Sequence, residues 1–455
     1  MREDHCYNRY VKVLFRLVLF FALLLALAGA SAPASDEVLE ATLDNGLRVL
    51  LLEDHRSPIV SFQIWYRVGS RNERPGATGL AHFLEHMMFK VTPTYGPRTF
   101  STLVEQNGGQ DNAFTSQDYT SYFVNIAADK ADLVIALEAD RMRNLLLDAK
   151  EFDSERQVVM EERRTRTEDD PEGFLGEELS ALAFVAHPYR SPIVGWMEDI
   201  RGLTVEGLRA FYRIYYVPNN ALVVAAGDFK APELLEKIRR AFDPIPRAAD
   251  PPPVKVPEPR QNGERRVTVK KEAQLPLVFI GYPVPNFRSP DAPPLELLST
   301  ILSEGRSSRL YRRLVYEQQI ALNAGGDYSY FSTDPNLFWF FATALPGQTP
   351  EGLEKALMQE VERLKAEPVS ATELERAKNQ SESSFVFRQD SVHSRAALLA
   401  RFELVGGWRL RDQFVPAIRA VTAADLQRVA RAYFPDERRN VGVLLPIPPG
   451  SAPRS

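Results

Sequence analysis

Cysteine is almost missing from this chain: 455 residues contain one, Cys6, ahead of the first apolar run. A disulfide framework is therefore excluded, and any metal site must be built without thiolates, leaving imidazole and carboxylate as ligands. Histidine is also scarce, with six in the chain. Neither sign of charge dominates, since 55 basic side chains face 60 acidic ones for a formal charge of −5, and that modest acidity argues against nucleic acid as a partner. The apolar run from Leu17 to Ala28 has twelve residues, short of the roughly twenty that a membrane span needs.

That run reads as part of a signal peptide over residues 1–30. Arg2, Arg9, Lys12 and Arg16 give it a basic start, and Ala28-Gly29-Ala30 offers a small-residue cleavage pattern. Export follows, with an uncleaved anchor as the alternative. Cys6 precedes the apolar run, so it is not placed for lipid attachment, and the mature chain would carry no thiol. Cleavage removes four basic and two acidic groups, which moves the formal charge from −5 to −7.

The stretch Gly79-Leu80-Ala81-His82-Phe83-Leu84-Glu85-His86-Met87-Met88-Phe89 places two of the six histidines and a carboxylate within five residues of an apolar helical pattern. At about 100° per residue, positions 82, 85 and 86 share one stripe, so two imidazoles and a carboxylate project together. Burying three polar groups on an apolar face is costly unless they serve a common purpose. A zinc ion supplies one. The order His-x-x-Glu-His reverses the His-Glu-x-x-His zinc helix, with neutral imidazoles as ligands and Glu85 poised to act on water. Met87, Met88 and Phe89 read as plain core.

A hydrolytic zinc site needs a third protein ligand and an open position. The segment Glu155-Arg156-Gln157-Val158-Val159-Met160-Glu161-Glu162 reads as a helix on which Glu155 and Glu162, seven positions apart, share a face, while Glu161 is turned by about 100°. Glu162 is assigned as the ligand, and Glu155 is placed to accept a hydrogen bond from a ligand imidazole. One zinc per chain is expected.

These residues resemble the pitrilysin, insulin-degrading enzyme and mitochondrial processing peptidase family of inverted-motif zinc metallopeptidases, in its small bacterial two-domain form. Matching elements are the motif itself, a second Glu 76 positions after His86, Thr167-Glu168-Asp169-Asp170-Pro171, Asn112-Ala113-Phe114-Thr115-Ser116 and His187-Pro188-Tyr189. The resemblance spans roughly Leu43 to Leu445. It implies a zinc endopeptidase of the bacterial periplasm acting on peptides or unfolded polypeptide, with Glu85 as general base and two halves enclosing a cavity like clam shells. The family also supplies non-catalytic binding or assembly subunits and self-sufficient homodimers, which stand as alternatives.

Seven prolines between Asp243 and Gly263 mark a semi-rigid linker. Domains are expected at 36–243 and 263–448, joined by 244–262. The halves repeat at a constant offset of 218, which relates Pro58-Ile59-Val60 to Pro276-Leu277-Val278 and Leu203-Thr204 to Val421-Thr422. The same shift puts Thr300, Ser303, Glu304 and Gln380 where His82, Glu85, His86 and Glu162 stand, so only the first half keeps a metal site. Strands read at 47–52, 59–68, 119–126 and 220–227 alternate with helices at 79–89, 130–147, 151–166 and 204–215. The fold class is α+β: two homologous sandwiches, each a sheet with helices on one face.

Gly108 to Ser116 suits an exposed sheet edge that a peptide can extend through main-chain hydrogen bonds, and the resemblance carries substrate binding to Asn112 and Ala113. His187-Pro188-Tyr189 reads as a rigid turn, and His55 and His393 lack metal spacing. In the second half, family members that act alone keep an Arg and, seven residues on, a Tyr that reach toward substrate; Val315 and Leu322 occupy those places here. Arg309, Arg312, Arg313, Tyr316 and Tyr328 lie near but out of register. A homologous partner chain supplying Arg and Tyr to the cleft is therefore expected.

Overall fold

The central strands explain the architecture. In a computed structural model describing residues 37–448, β6 (Ala221–Gly227) is buried at every position and β3 (Ile59–Tyr66) at all but its first. Strands buried on both faces need cover on both faces. Residues 1–30, with the signal-peptide reading and Cys6, lie outside the described residues.

With β1 (Val38–Thr42), β2 (Arg48–Glu53), β4 (Gln110–Thr115) and β5 (Thr120–Ala127), these strands form a sheet in the order β1-β2-β6-β3-β5-β4. A second sheet comprises β7 (Arg265–Glu272), β8 (Leu277–Val284), β9 (Ala321–Tyr328), β10 (Asn336–Ala344) and β11 (Asn440–Ile447), ordered β7-β11-β8-β10-β9. The two follow one plan. β2 runs parallel to β6 and β6 antiparallel to β3, as β7 runs parallel to β11 and β11 antiparallel to β8. β5 and then β4 continue the first sheet antiparallel, matched by β10 and β9 in the second. Helices Ala149–Arg163 and Ala371–Phe387 stand at corresponding places. The chain is thus a duplicated α+β fold of two sheet-plus-helix layers.

Each sheet packs one face on its own helices. In the first half Val49, Leu51, Phe62 and Ile64 meet Phe83, Leu84 and Val159; in the second Ile280 and Phe340 meet Leu298 and Leu357. The other face is covered reciprocally. Helix Pro171–Ala183, from the first half, inserts Leu175 and Leu179 among Val269, Leu277, Phe279 and Leu444 of the second sheet. Helix Val392–Val405, from the second half, packs on β3 and β6. There Arg395 pairs with buried Asp54 at 2.5 Å, and Gln63 donates to the His393 carbonyl at 3.0 Å. No element is expected from the sequence at residues 171–183, although Asp170 as N-cap, accepting from the amides of Glu172 and Gly173, with Pro171 at the first helical position, is a start signal.

From Pro246 to Asn262 the chain forms no helix or strand. It is nonetheless anchored, because the Glu258 carboxylate accepts from the amides of Val185, Ala186 and His187 at 2.8, 2.9 and 2.9 Å. His187 in turn contacts Asp334 at 3.0 Å through Nε2, and the Tyr189 hydroxyl donates to Asp118 at 2.7 Å. Thr333 donates its amide to the same Asp118 at 3.0 Å, so His187-Pro188-Tyr189 belongs to a polar seam between the halves.

Candidate metal centre

The His-bearing helix, Leu80–Met87, begins without a side-chain cap, since Gly79 precedes it at φ 90°. Its free amides are met from a distance: the Glu73 carboxylate accepts from Gly79 and Ala81, each at 2.7 Å. Burial pushes the Glu73 carboxyl up to about 8, although both amide bonds pull it down. Gly195, at φ 93°, lies directly against this start; a Cβ there would sit 2.6 Å from Gly79 Cα. Both positions require glycine, so the helix is entered through a backbone-to-backbone contact.

One turn on, His82 and His86 stack edge-on with ring centroids 4.7 Å apart. Glu162, near the end of helix Ala149–Arg163, brings Oε2 to 3.1 Å from His86 Nε2 and 3.6 Å from His82 Nε2. Donor atoms of the three side chains lie within 4.8 Å of one another, and among the described residues no other such group does. Two imidazole nitrogens and one carboxylate oxygen are a donor set that zinc takes in a hydrolytic site. The neighbours hold the donors in place. His86 Nδ1 lies 2.8 Å from Glu155 Oε1, which directs Nε2 toward Glu162, and Lys90 Nζ lies 2.5 Å from the other Glu155 oxygen. Arg166 pairs with Glu162 Oε1 at 2.8 Å, from a π-helical turn at Arg164–Glu168 that follows the ligand helix. The buried His82 Nδ1 has no protein partner among the described residues.

Burial alone would lower His86, but hydrogen bonds and charge from Glu155 and Glu162 outweigh it and raise the imidazole to about 9. The two imidazoles, His82 first, hold Glu162 far below the usual carboxylate range. A metal taking the His86 lone pair must displace a proton, so apparent zinc affinity is expected to rise as pH rises toward about 9 and to weaken in acid. In metal-stripped protein the sign reverses. The stability contributed by protonated His86 is full below its ordinary 6.5 and is lost as pH passes through about 9. Competition titrations with a chelator, and thermal unfolding with and without zinc, check both arms.

Glu85 lies on the same helix, and its Oε2 accepts from the Thr115 hydroxyl at 2.6 Å. Thr115 ends β4, which also carries Asn112 and Ala113 and pairs on one side only, with β5. The Asn112 side-chain oxygen accepts from the Ala113 amide at 2.8 Å. Glu73, Gly195, Arg166 and Thr115 contact the candidate site or its helix and carry no role in the sequence reading. Thr115 lies in the Asn112–Ser116 segment and Arg166 ends the helix expected over 151–166, whereas Glu73 and Gly195 fall in no segment singled out from the sequence.

The 218 shift places Thr300, Glu304 and Gln380 on one 410 Å³ cavity lined by both halves, Gln117 and Tyr119 among its first-half residues, so the duplicated positions converge as their counterparts do, without imidazoles. Val315 packs on the second core, whereas Leu322 is 56% exposed. Arg309 is held by Glu373 at 2.7 Å, Arg312 and Arg313 by Glu317 at 2.7 and 3.0 Å, and the Tyr328 hydroxyl donates to the Pro285 carbonyl at 2.7 Å.

A duplicated α+β chain with this donor set has the form of an inverted-motif metallopeptidase. Residues 48–195 match the family model described as insulinase (peptidase family M16), and residues 202–381 match that of the peptidase M16 inactive domain. The chain is 33% identical over 443 residues to the zinc protease PqqE of Helicobacter pylori, covering 95% of this chain and 98% of that one. It is 27% identical over 431 residues to a probable mitochondrial-processing peptidase subunit beta of Arabidopsis thaliana, covering 92% of this chain and 79% of that one. The crystal structure of a protease from Helicobacter pylori superposes with a TM-score of 0.88 at 33% identity, covering 90% of this chain and all of that one. The chain belongs to peptidase family M16.

Proposed function

We propose that this chain is an exported zinc endopeptidase that hydrolyses peptides or unfolded polypeptide segments as the metal-bearing subunit of a heterodimer. The convergence of His82, His86 and Glu162, with Glu85 on the same helix, carries the reading. When bound, zinc supplies Lewis-acid activation of water. Glu85 takes the proton from the attacking water and returns it to the leaving amine, while Glu155 keeps the His86 ring oriented. The free edge of β4, with Asn112 and Ala113, aligns the peptide backbone by strand addition.

Division of labour between two chains is supported by what surrounds Val315 and Leu322. The neighbouring Arg309, Arg312 and Arg313 are each paired with Glu373 or Glu317, which supports an oxyanion donor supplied by a partner chain. One relative is itself described as a subunit. Export rests on residues 1–30, and among the described residues no helix is long and apolar enough to cross a membrane.

Metal analysis tests the core of the proposal. Purified protein is expected to hold one zinc per chain, and His82→Ala to lose it. Protein without stoichiometric zinc, or a His82→Ala chain that retains it, overturns the reading and favours a non-catalytic binding subunit.

A further inference from the structure

We propose that Thr115 is a positioning residue for Glu85, fixing which carboxylate oxygen exchanges the proton and tying the base to the strand on which the peptide is laid. The inference rests on the reading of Glu85 as general base. A glutamate side chain has three torsions, the last of them broad, so a partly buried helical carboxylate such as that of Glu85 is poorly fixed by packing alone. Here one oxygen is held. Thr115 Oγ1 stands 2.6 Å from Glu85 Oε2, within the short range of charge-assisted O–H···O⁻ bonds.

The direction of that bond follows from its neighbours. Thr120 Oγ1 lies 3.3 Å from Thr115 Oγ1, but its own hydrogen is committed to the Val68 carbonyl at 2.9 Å. An ionised carboxylate can only accept. Thr115 therefore donates to Glu85, which leaves Oε1 as the oxygen without a protein hydrogen bond among the described residues. A base that must take a proton and give it back needs one oxygen free and the other restrained, and this arrangement provides both.

The duplicated half offers an internal comparison. Ser303 stands where Glu85 stands, and its hydroxyl bonds directly to the Gly326 backbone of β9, the strand that corresponds to β4. Helix and edge strand are tied in both halves. Yet β9, Ala-Leu-Asn-Ala-Gly-Gly-Asp-Tyr, carries no serine or threonine. Where the carboxylate is gone, the helix hydroxyl meets the strand backbone directly, and the only hydroxyl on that strand, of Tyr328, turns to the Pro285 carbonyl instead.

Two variants and one thermodynamic cycle test the inference. Thr115→Val keeps the branched shape and removes the hydroxyl; kcat is expected to fall about ten- to a hundredfold. KM should stay within about twofold, because substrate binding is not the function lost. Zinc content should not change. Thr115→Ser, which keeps the hydroxyl, should recover most of the rate. Independently of turnover, unfolding midpoints of Thr115→Val, Glu85→Leu and the double variant, all stripped of metal, should be non-additive, with the double shift smaller than the sum of the single shifts. That cycle decides by itself if the isolated chain turns over too slowly to follow. Additive shifts, wild-type kcat in Thr115→Val, or a Thr115→Ser chain no faster than Thr115→Val would overturn the inference. The two readings fail separately: an active Glu85→Gln chain removes the general-base assignment, whereas an inactive one beside a fully active Thr115→Val removes only the role of Thr115.

Discussion

Replacing Glu85 by glutamine is expected to lower kcat by about two to four orders of magnitude, the usual contribution of a positioned general base. Glutamine has nearly the same shape, and its amide oxygen still accepts the hydroxyl hydrogen that Thr115 directs at Oε2. Only the ability to take a proton is removed. His82, His86 and Glu162 are untouched, so zinc should remain at wild-type stoichiometry and KM should change little. The measurement is steady-state cleavage of an internally quenched unstructured peptide, with metal content determined on the same preparation. Retention of more than about a tenth of the wild-type rate would assign the proton transfer to another group.

The second large effect is expected from adding a partner. Val315 and Leu322 stand where self-sufficient relatives are expected to keep Arg and Tyr, and an apolar side chain cannot stabilise a developing oxyanion. Loss of one such donor costs about 3 to 4 kcal/mol in transition-state stabilisation, so the chain alone should be slower than the reconstituted pair by about two to three orders of magnitude. The partner should be a homologue that brings Arg and Tyr to the cleft and lacks His-x-x-Glu-His. Mixing titrations that reach a plateau at one to one, with size-exclusion on the same samples, give the answer. Equal turnover by the isolated chain would end the heterodimer proposal and leave Glu85 and the zinc ligands in place.

The first-half strands and helices were legible because hydrophobic period and chain punctuation agree there: 59–68 and 220–227 are recovered as β3 and β6 within a few residues. The convergence of His82, His86 and Glu162 was legible because helical geometry converts sequence spacing into direction. What supports them was not legible in the same way. Glu73 reaches the helix start across a loop, Gly195 meets Gly79 across more than a hundred residues, and neither relation leaves a periodic trace. Thr115 was quoted within a segment, but nothing in a linear pattern shows that its hydroxyl meets Glu85. The covering of each sheet by a helix of the opposite half was likewise invisible, because an amphipathic pattern shows that a face is buried and not which surface buries it.

That reciprocal covering means the two halves were never independent lodgers. Read as separate polypeptides, two such halves lending each other a helix would be a domain-swapped pair, and the proline-rich connection turns a swapped dimer into one chain with fixed stoichiometry. Fully buried Leu175 and Leu179 contribute about 1.5–3 kcal/mol each, a sizeable part of the 5–15 kcal/mol that a typical protein has in all. A protease nicking the chain within 246–262 would therefore cut a covalent bond without releasing a half. The second half expressed alone would present the apolar face of Val269, Leu277, Phe279 and Leu444 to solvent, inviting aggregation.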